Sequence, residues 1–143
     1  MFHICYTSYV PDMSRDDFYA IVERAHTRNT ELRIGGEISF CDSTIVQIIE
    51  GKEISVIELF QRIRVDRQHQ DVTLVASLAV RDRNFETFGM CVSDPLTIAM
   101  KSLAIATRSG HGRSSGQEHM SHYAQRLIAS GAVPREHYRR DAR

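Results

Sequence analysis

The chain has 143 residues, of which 42% are hydrophobic and 25% are charged, and its 18 basic residues balance its 18 acidic residues. Balanced charge gives no general electrostatic attraction to nucleic acid or anionic membranes, so neither partner is expected. The sequence shows no signal peptide and no apolar run near the roughly 20 residues of a membrane span. Three widely spaced cysteines without a C-x-x-C pair indicate reduced, mostly structural thiols in a cytoplasmic protein.

The first predicted elements are a strand and an amphipathic helix. Residues 2–8 alternate as a strand with Tyr6 on its apolar face. Ser14 then serves as a helix cap, with Asp17 three residues later in a weak version of the capping box. The helix is predicted to end near residues 28–29. Its apolar face consists of Phe18, Ile21, Val22 and Ala25.

The next two strands form a hairpin that turns at residues 42–43. The first covers residues 32–41 and contains Gly35 and Gly36. Glycine inside a strand often marks a bulge or a close approach by a ligand or by backbone. The second strand ends at Gly51 and is rich in β-branched residues.

An amide side chain interrupts the second hairpin strand. Val46 and Ile48 point to one face, and Ile45, Gln47 and Ile49 point to the other, so both faces are apolar and the strand is central. A buried amide without a partner costs about 1–3 kcal/mol. Gln47 is therefore hydrogen-bonded, either to a neighbouring protein group or to something that the protein binds.

The remaining pattern completes an α+β fold. A helix is predicted over residues 53–66, a strand over residues 71–80, and a last strand over residues 85–92. The order βαββαββ is close to the ferredoxin-like plan, with both helices on one sheet face. Helical patterns at residues 97–107 and 117–131 are available to cover the free face. The apolar face of the 53–66 helix consists of Val56, Ile57, Phe60 and Ile63, and that of the last strand of Phe88, Met90 and Val92.

Several polar residues occupy unusual positions without forming a nucleophile–base pair, a metal cage or a phosphate loop. They are Tyr6, Asn29, Gln47, Arg62 and Asp66. Such donors and acceptors suit recognition of a flat polar ring edge between two helices. Residue by residue, the alternatives remain a core tyrosine, a helix-end asparagine and a surface ion pair between Arg62 and Asp66. Solvated histidines explain His119 and His122 better than a metal site, because no further ligands lie nearby.

Five stretches, in this order and at consistent spacing, resemble the BLUF family of blue-light sensors that use a flavin. They are ICYTS near the start, RNTELRIGG at 28–36, IVQIIEG at 45–51, VDRQHQDV at 65–72 and RNFETFGM at 83–90. The resemblance covers about residues 2–94, which indicates a flavin-binding domain at residues 1–95 and a helical extension at residues 96–143. It implies a ferredoxin-like domain with FAD lying between the two helices.

The resemblance also implies roles for individual residues. Tyr6 matches the photoactive tyrosine that donates an electron to the excited flavin, and Gln47 matches the glutamine between that tyrosine and the flavin. Met90 matches the methionine of the last strand, and Phe88 takes the place usually held by tryptophan. The residues implied to contact or surround the cofactor are Arg28, Asn29, Ile34, Arg62, Asp66 and His69.

Two departures from the family pattern concern the surroundings of the ring. Gly35 replaces the usual threonine, which removes a hydroxyl expected near the ring. Phe88 replaces tryptophan, which removes an indole N–H donor and a competing electron donor. The replacement of tryptophan by Phe88 is expected to alter the lifetime of the photocycle or the output rather than to abolish photochemistry.

The implied function is blue-light reception without enzymatic activity. Residues 96–143 resemble no cyclase, phosphodiesterase or DNA-binding domain, so the signal is expected to pass through the C-terminal helices to a separate, unknown partner protein. The apolar sheet face and short helices favour a homo-oligomer. The alternative is a non-photochemical protein-interaction module on the same fold. A hydrolase of the acylphosphatase type is disfavoured, because residues 7–14 contain no glycine-rich phosphate cradle.

Overall fold

A computed structural model of the chain describes residues 1–111 as one five-stranded sheet with helices on both faces. In chain order the elements are β1 (Phe2–Tyr9), α1 (Arg15–Glu31), β2 (Gly35–Cys41), β3 (Thr44–Gly51), α2 (Glu53–Val65), β4 (Gln70–Ala79), β5 (Cys91–Val92), α3 (Pro95–Ala106) and a π-helical turn (Thr107–His111). The strand order is β4-β1-β3-β2-β5. The predicted α+β, ferredoxin-like plan is therefore confirmed.

The pairing of the two central strands, β1 and β3, determines which side chains lie opposite each other in the middle of the sheet. They pair antiparallel, and the register places Tyr6 directly opposite Gln47. On the outer sides, β4 pairs antiparallel with β1, and β2 pairs antiparallel with β3. The short strand β5 runs parallel to β2 through Glu37 and Ile38. The hairpin between β2 and β3 turns at Asp42 and Ser43 with φ of 48° and 57°, as expected for a tight hairpin turn.

The sheet separates two hydrophobic cores, as the alternation in β3 predicted. Ile45 and Ile49 point to the side covered by α1 and α2, which we name the cleft face. Val46 and Ile48 point to the opposite side, which we name the α3 face. There α3 packs on the sheet through Ile98 and its neighbours. Burying one such side chain contributes about 1.5–3 kcal/mol, so these apolar contacts hold α3 on the sheet.

Helix α3 confirms the prediction of a helix over residues 97–107 that covers the free sheet face. Its start is set by Asp94, whose carboxylate accepts a hydrogen bond of 2.9 Å from the Thr97 N–H. The second predicted helix, at residues 117–131, lies outside the described residues, as do His119 and His122. The proposed domain boundary after residue 95 stays a prediction.

Helix α1 begins as predicted and ends later. The Ser14 hydroxyl accepts from the Asp17 N–H at 3.1 Å, and the Asp17 carboxylate accepts from the Ser14 N–H at 3.1 Å, which completes the capping box. The predicted end near residues 28–29 is wrong, because the helix continues to Glu31. The left-handed conformation of Arg33, with φ of 54°, then turns the chain into β2.

The predicted strand over residues 85–92 is wrong for most of its length. Only Cys91–Val92 pairs with β2. Gly89 has a φ of 108°, which breaks the extended conformation, and its N–H donates to the Ile34 carbonyl at 2.8 Å. Met90 consequently turns into the core of the cleft face, whereas Val92 is 48% exposed. The residues therefore do not share one face.

Two further sequence expectations need correction. In α2 the side chain of Ile57 is 38% exposed, and Leu59 is buried in its place. The thiols are not mostly structural, since Cys5 is buried but Cys41 and Cys91 are exposed at the ends of short strands. Burial at sheet edges depends on what packs beside them, which strand periodicity alone does not reveal.

A buried polar network ties α3 to the central strands. His3 of β1 lies 3.4 Å from the Glu50 carboxylate of β3, and its other ring nitrogen lies 3.0 Å from the Ser102 hydroxyl of α3. Asn84 donates to the same carboxylate from its backbone at 2.7 Å and from its side chain at 2.8 Å. Burial by itself would raise the pKa of Glu50, but its interactions with His3 and Asn84 outweigh burial and lower it.

Ser102, His3 and Glu50 are connected in the order of a hydrolytic triad, yet their environment does not suit hydrolysis. The side chains of all three are almost completely buried, and none of them lines any of four cavities found within residues 1–111. A nucleophile without access to a substrate cannot attack it. The network therefore serves to hold α3 on the sheet. Sequence reasoning missed it because residues 3 and 102 meet only in the folded chain.

Glu50→Gln tests this network through the pH dependence of stability. Because the folded pKa of Glu50 lies below its ordinary value of 4.5, its ionised form stabilises the protein above that pH, and the stabilisation is lost as pH falls through the folded pKa. The variant should lower the free energy of unfolding by about 1–3 kcal/mol at pH 7. The measurement is denaturant unfolding of both proteins from pH 7 downwards.

The difference between wild type and Glu50→Gln should shrink on acidification, since other carboxylates titrate equally in both proteins. A difference that stays constant with pH would show that Glu50 is not held ionised by His3 and Asn84.

Candidate functional site

A cleft of about 150 Å³ lies between α1 and α2, with the middle of β1 and β3 as its floor. Each helix presents a face with spacing i, i+3, i+4, i+7 to this cleft. From α1 these residues are Ile21, Arg24, Ala25 and Arg28; from α2 and its end they are Leu59, Arg62, Ile63 and Asp66. The floor and one end are formed by Tyr6, Ile38, Gln47, Gln68 and His69. The walls are apolar near the sheet and charged at the rim.

The floor of the cleft contains a relay of three side chains. The Tyr6 hydroxyl donates a hydrogen bond to Gln47 Oε1. Gln47 Nε2 donates in turn to Met90 Sδ at 3.7 Å, and a thioether is a weak acceptor. Both ends of the buried amide are therefore engaged by the protein. This arrangement accounts for a glutamine in the middle of an apolar strand.

The environment keeps the Tyr6 phenol protonated. Its side chain is fully buried, and the Phe60 ring lies 5.3 Å from its own ring centre to centre. Burial raises the pKa of Tyr6 far above its ordinary value, the charge of Asp66 adds to this effect, and Arg28 opposes it. The Tyr6 phenol therefore keeps its proton at neutral pH.

A second buried amide, that of Asn29, has no partner. Asn29 lies in α1 beside Arg28, and neither its Oδ1 nor its Nδ2 has a hydrogen-bond partner within residues 1–111, although the side chain is fully buried. Such a group costs about 1–3 kcal/mol unless a ligand or water satisfies it. A bound ring with polar edges would supply the missing donor and acceptor. The residues present therefore fit a flavin.

The rim of the cleft is cationic. The side chains of Arg24, Arg28 and Arg62 are exposed and line the opening, so they can move aside to admit a ligand larger than the cleft itself. His69 lies at one end, where its Nδ1 is 2.8 Å from the Ser8 hydroxyl. Burial lowers the pKa of His69, and the nearby Asp66 carboxylate only partly opposes this effect. At neutral pH the positive charge is therefore supplied by arginine.

The alternative of a surface ion pair between Arg62 and Asp66 is not seen in the described residues. Helix α2 ends at Val65, and Asp66 adopts an extended conformation as its C-terminal cap. The Asp66 carboxylate accepts from the Gln68 N–H at 2.9 Å, and no ion pair joins it to Arg62 within the described part of the chain. Both side chains nevertheless line the cleft.

Most residues singled out in the sequence meet at this cleft, but not all of them line it. Those that do are Tyr6, Arg28, Gln47, Arg62, Asp66 and His69. Met90 joins the relay through Gln47, and Asn29 and Ile34 are fully buried and are not among the residues that line the cleft. Phe88 stands apart, half-buried beneath the Arg83 guanidinium, whose carbon lies 4.4 Å from the ring centre. The Phe88 ring thus interacts with Arg83, outside the relay.

The missing side chain at Gly35 does not concern the cleft. A Cβ on Gly35 would lie 2.7 Å from Phe85 Cβ and 2.9 Å from the Thr87 carbonyl oxygen, and Phe85 belongs to the core of the α3 face. The expectation that Gly35 removes a hydroxyl near the ring is therefore wrong. Glycine is required because the loop after β4 packs directly on this strand, which agrees with the predicted close approach.

Sequence reasoning missed two residues at or beside the site, Arg24 and His26. Arg24 shares one helix face with Ile21, Ala25 and Arg28, so its spacing already indicated a common surface. His26 lies outside that face, yet its Nδ1 is 3.1 Å from the Met90 backbone nitrogen. No sequence signal links His26 to Met90, because they are 64 residues apart.

Neither metal binding nor a membrane span is indicated in the described part of the chain. Residues 1–111 contain no group of three or more His, Cys, Asp or Glu side chains that could hold a metal ion. Within the same residues, no helix combines the length and the apolar character needed to cross a membrane.

Comparison with known proteins agrees with this geometry. A family model described as "BLUF: Sensors of blue-light using FAD" matches residues 1–91. The photoactivated adenylate cyclase subunit beta of Euglena gracilis is 38% identical over 71 residues, which are 50% of this chain and 8% of that subunit. The chain thus matches only a small part of the length of this relative.

Two solved structures extend the comparison to the fold. The BLUF domain of BlrP1 is 29% identical, with a TM-score of 0.63 and coverage of 92% of each chain. A manganese/cyclic-di-GMP complex of Klebsiella pneumoniae BlrP1 is 28% identical, with a TM-score of 0.62 and coverage of 78% of this chain and 33% of that one. Together with the family model over residues 1–91, they confirm that the chain belongs to the BLUF family of blue-light sensors.

Proposed function

We propose that this chain is a blue-light photoreceptor in which the cleft between α1 and α2 holds a flavin above the Tyr6–Gln47–Met90 relay. The observation that supports this proposal most directly is the relay itself, since both ends of a buried amide are held where a ring edge would lie. The unpartnered amide of Asn29 supports it independently. A non-photochemical interaction module would not account for the unpartnered Asn29 amide.

Different residues of the cleft bind different parts of the cofactor. The Asn29 amide binds the polar edge of the ring, and Ile38, Leu59 and Ile63 provide apolar walls. Arg28 and Arg62 at the rim bind the phosphate side, because guanidinium groups pair well with phosphate. Asp66 and His69 contact the cofactor at the same end, with His69 acting as a neutral hydrogen-bonding group. Ile34 supports the ring region from below as part of the buried core.

The relay supplies the switch. A flavin bound in the cleft would supply blue-light absorption and an excited state that can accept an electron from a nearby donor and later return it. Tyr6 is the member of the relay that can donate an electron. Loss of an electron would make its phenol strongly acidic. The phenolic proton then passes along the existing hydrogen bond to Gln47 Oε1. After the electron and the proton return to Tyr6, the Gln47 amide is left with the positions of its oxygen and nitrogen exchanged.

Exchange of the two ends of Gln47 changes what the amide offers to its neighbours. In the described arrangement Nε2 donates to Met90 Sδ, and after the exchange an oxygen faces the same sulfur. Oxygen accepts rather than donates, so the contact with Met90 is lost. Met90 is followed directly by β5 and α3, and the loss therefore reaches the helix on the opposite sheet face.

We take the cofactor to be FAD, as in the family description, although one relative, Klebsiella pneumoniae BlrP1, has been described with FMN. The output is signalled through α3 to a separate partner protein, and the chain has no enzymatic activity of its own. A homo-oligomer is favoured by apolar side chains on the outer side of α3, where Leu96 is 71% and Met100 58% exposed.

An absorption spectrum in darkness and under blue light tests the proposal first. We expect a flavin spectrum that shifts to longer wavelength on illumination and recovers in darkness. Chromatography of the extracted cofactor should give FAD rather than FMN or riboflavin. Absence of flavin even after reconstitution with FAD would contradict the proposal and favour the interaction module.

Tyr6→Phe should abolish the reversible red shift while flavin remains bound, because phenylalanine retains the ring but has no hydroxyl proton to pass to Gln47. Gln47→Leu should have the same effect, since it removes both ends of the amide. The matched control is Tyr9→Phe, which changes the same atom on the same strand at a side chain that is 43% exposed. An ordinary reversible shift in either Tyr6→Phe or Gln47→Leu would disprove the relay.

Asn29→Leu separates a ligand-binding amide from a structural one. Leucine is similar in size and leaves no unpaired polar atom, so the flavin-free protein should keep or gain thermal stability. Flavin affinity should fall by about 5- to 150-fold, the factor expected when a polar ligand edge loses its partner. Thermal unfolding without flavin and fluorescence titration with FAD measure the two effects. Equal destabilisation with and without flavin would assign Asn29 a purely structural role.

A further inference from the structure

His26 contacts the backbone of Met90 from helix α1. The Met90 N–H donates to His26 Nδ1 at 3.1 Å, and the Met90 carbonyl oxygen lies 3.2 Å from the same nitrogen. Nδ1 can accept from the Met90 N–H only when the ring proton lies on Nε2, whereas the other tautomer would donate from Nδ1 to the Met90 carbonyl. We assign the first tautomer because it satisfies the N–H of the buried Met90, and an unsatisfied buried N–H is rarer than an unsatisfied carbonyl. Helix α1 thereby binds a segment that no secondary structure holds at this point.

The residue before Met90 is shaped to admit the His26 ring. Gly89 has a φ of 108°, and a Cβ at this position would lie 2.4 Å from His26 Nδ1 and 2.5 Å from Cε1. Any side chain would therefore displace the imidazole. The Gly89 N–H is bound at the same time to the Ile34 carbonyl at 2.8 Å. Two successive backbone N–H groups are thus hydrogen-bonded. That of Gly89 binds the Ile34 carbonyl just before β2, and that of Met90 binds His26.

The hydrogen bond between His26 and Met90 lies next to the contact between Gln47 and Met90, which would change in the light-induced state. Met90 contacts Gln47 through its thioether, and the chain reaches β5 at Cys91 and α3 at Pro95. On the far side, the Ser93 N–H donates to the Ile38 carbonyl at 2.9 Å. Between these anchors, the hydrogen bond to His26 sets where the Met90 backbone lies, and hence how close its sulfur comes to Gln47.

We infer that His26 is a positioning residue that holds Met90 against Gln47 and so sets how long the light-induced state lasts. The inference rests on the proposed photoreceptor function. In darkness, Met90 Sδ accepts from Gln47 Nε2 and favours that orientation of the amide. If Met90 shifts away, the dark orientation loses this acceptor, and return to it becomes slower.

Two substitutions separate the hydrogen bond from the ring. His26→Phe retains an aromatic ring but removes the acceptor. His26→Asn removes the ring but places an amide oxygen one bond beyond Cγ, where Nδ1 lies in histidine, so it can accept from the Met90 N–H. We expect dark recovery to slow by about fivefold in His26→Phe, the factor that one lost hydrogen bond gives, and to return close to wild type in His26→Asn.

A second measurement needs no photochemistry. Amide hydrogen exchange at Met90, followed by NMR on the full chain in darkness, should be protected in wild type and His26→Asn and fast in His26→Phe. Nitrogen chemical shifts should show His26 with its proton on Nε2. A merely structural histidine would alter overall stability but would not be rescued at this single amide by asparagine.

The outcomes distinguish the two proposals. Wild-type protein with bound flavin but no reversible shift would overturn the photoreceptor proposal, and the inference would fall with it. A normal shift in wild type with unchanged recovery in His26→Phe would overturn the inference alone. Slow recovery in both His26 variants, or fast exchange at Met90 in the wild type, would also overturn it. Slow recovery in His26→Phe with rescue in His26→Asn would support it.

Discussion

The pairing of Tyr6 with Gln47 across β1 and β3 is the interaction on which the rest of the structure depends. An amide buried in the middle of an apolar sheet has to be satisfied at both ends, or it costs the fold about 1–3 kcal/mol. The antiparallel register brings a phenol to one end, and the loop after β4 brings a thioether to the other. The floor of the cleft is therefore already ordered before any ligand is considered.

The two faces of the sheet divide binding from transmission. On the cleft face, two helices present matching apolar and arginine positions around the relay. On the α3 face, His3, Glu50 and Ser102 attach the helix to the central strands by polar contacts as well as by packing. Met90 is the link between the faces, since it touches Gln47 on one side and leads within five residues to α3. A change in the relay has a short covalent route to the helix.

Much of the cleft follows from local pattern. Strand alternation correctly separated Gln47 from Val46 and Ile48, and a spacing of four residues placed Arg62 and Asp66 on one side, from which both line the cleft. The surroundings of Phe88 and Gly35 could not be predicted from local periodicity. Both lie around the irregular loop after β4, where Gly89 reverses the backbone and a period of two no longer describes which side chain is buried. Family resemblance carried over the residue types there but not their positions.

By itself the sequence determined the order of elements, the two-faced central sheet and the residues that meet on each helix, because these depend on periodicities of 2 and 3.6 residues. Only the tertiary structure decided which partners satisfy the buried polar groups. His26 with Met90, and His3 with Ser102, are 64 and 99 residues apart, and nothing local connects them. A hydrogen bond depends on distance and direction in three dimensions, and those are determined by how the strands, loops and helices pack together.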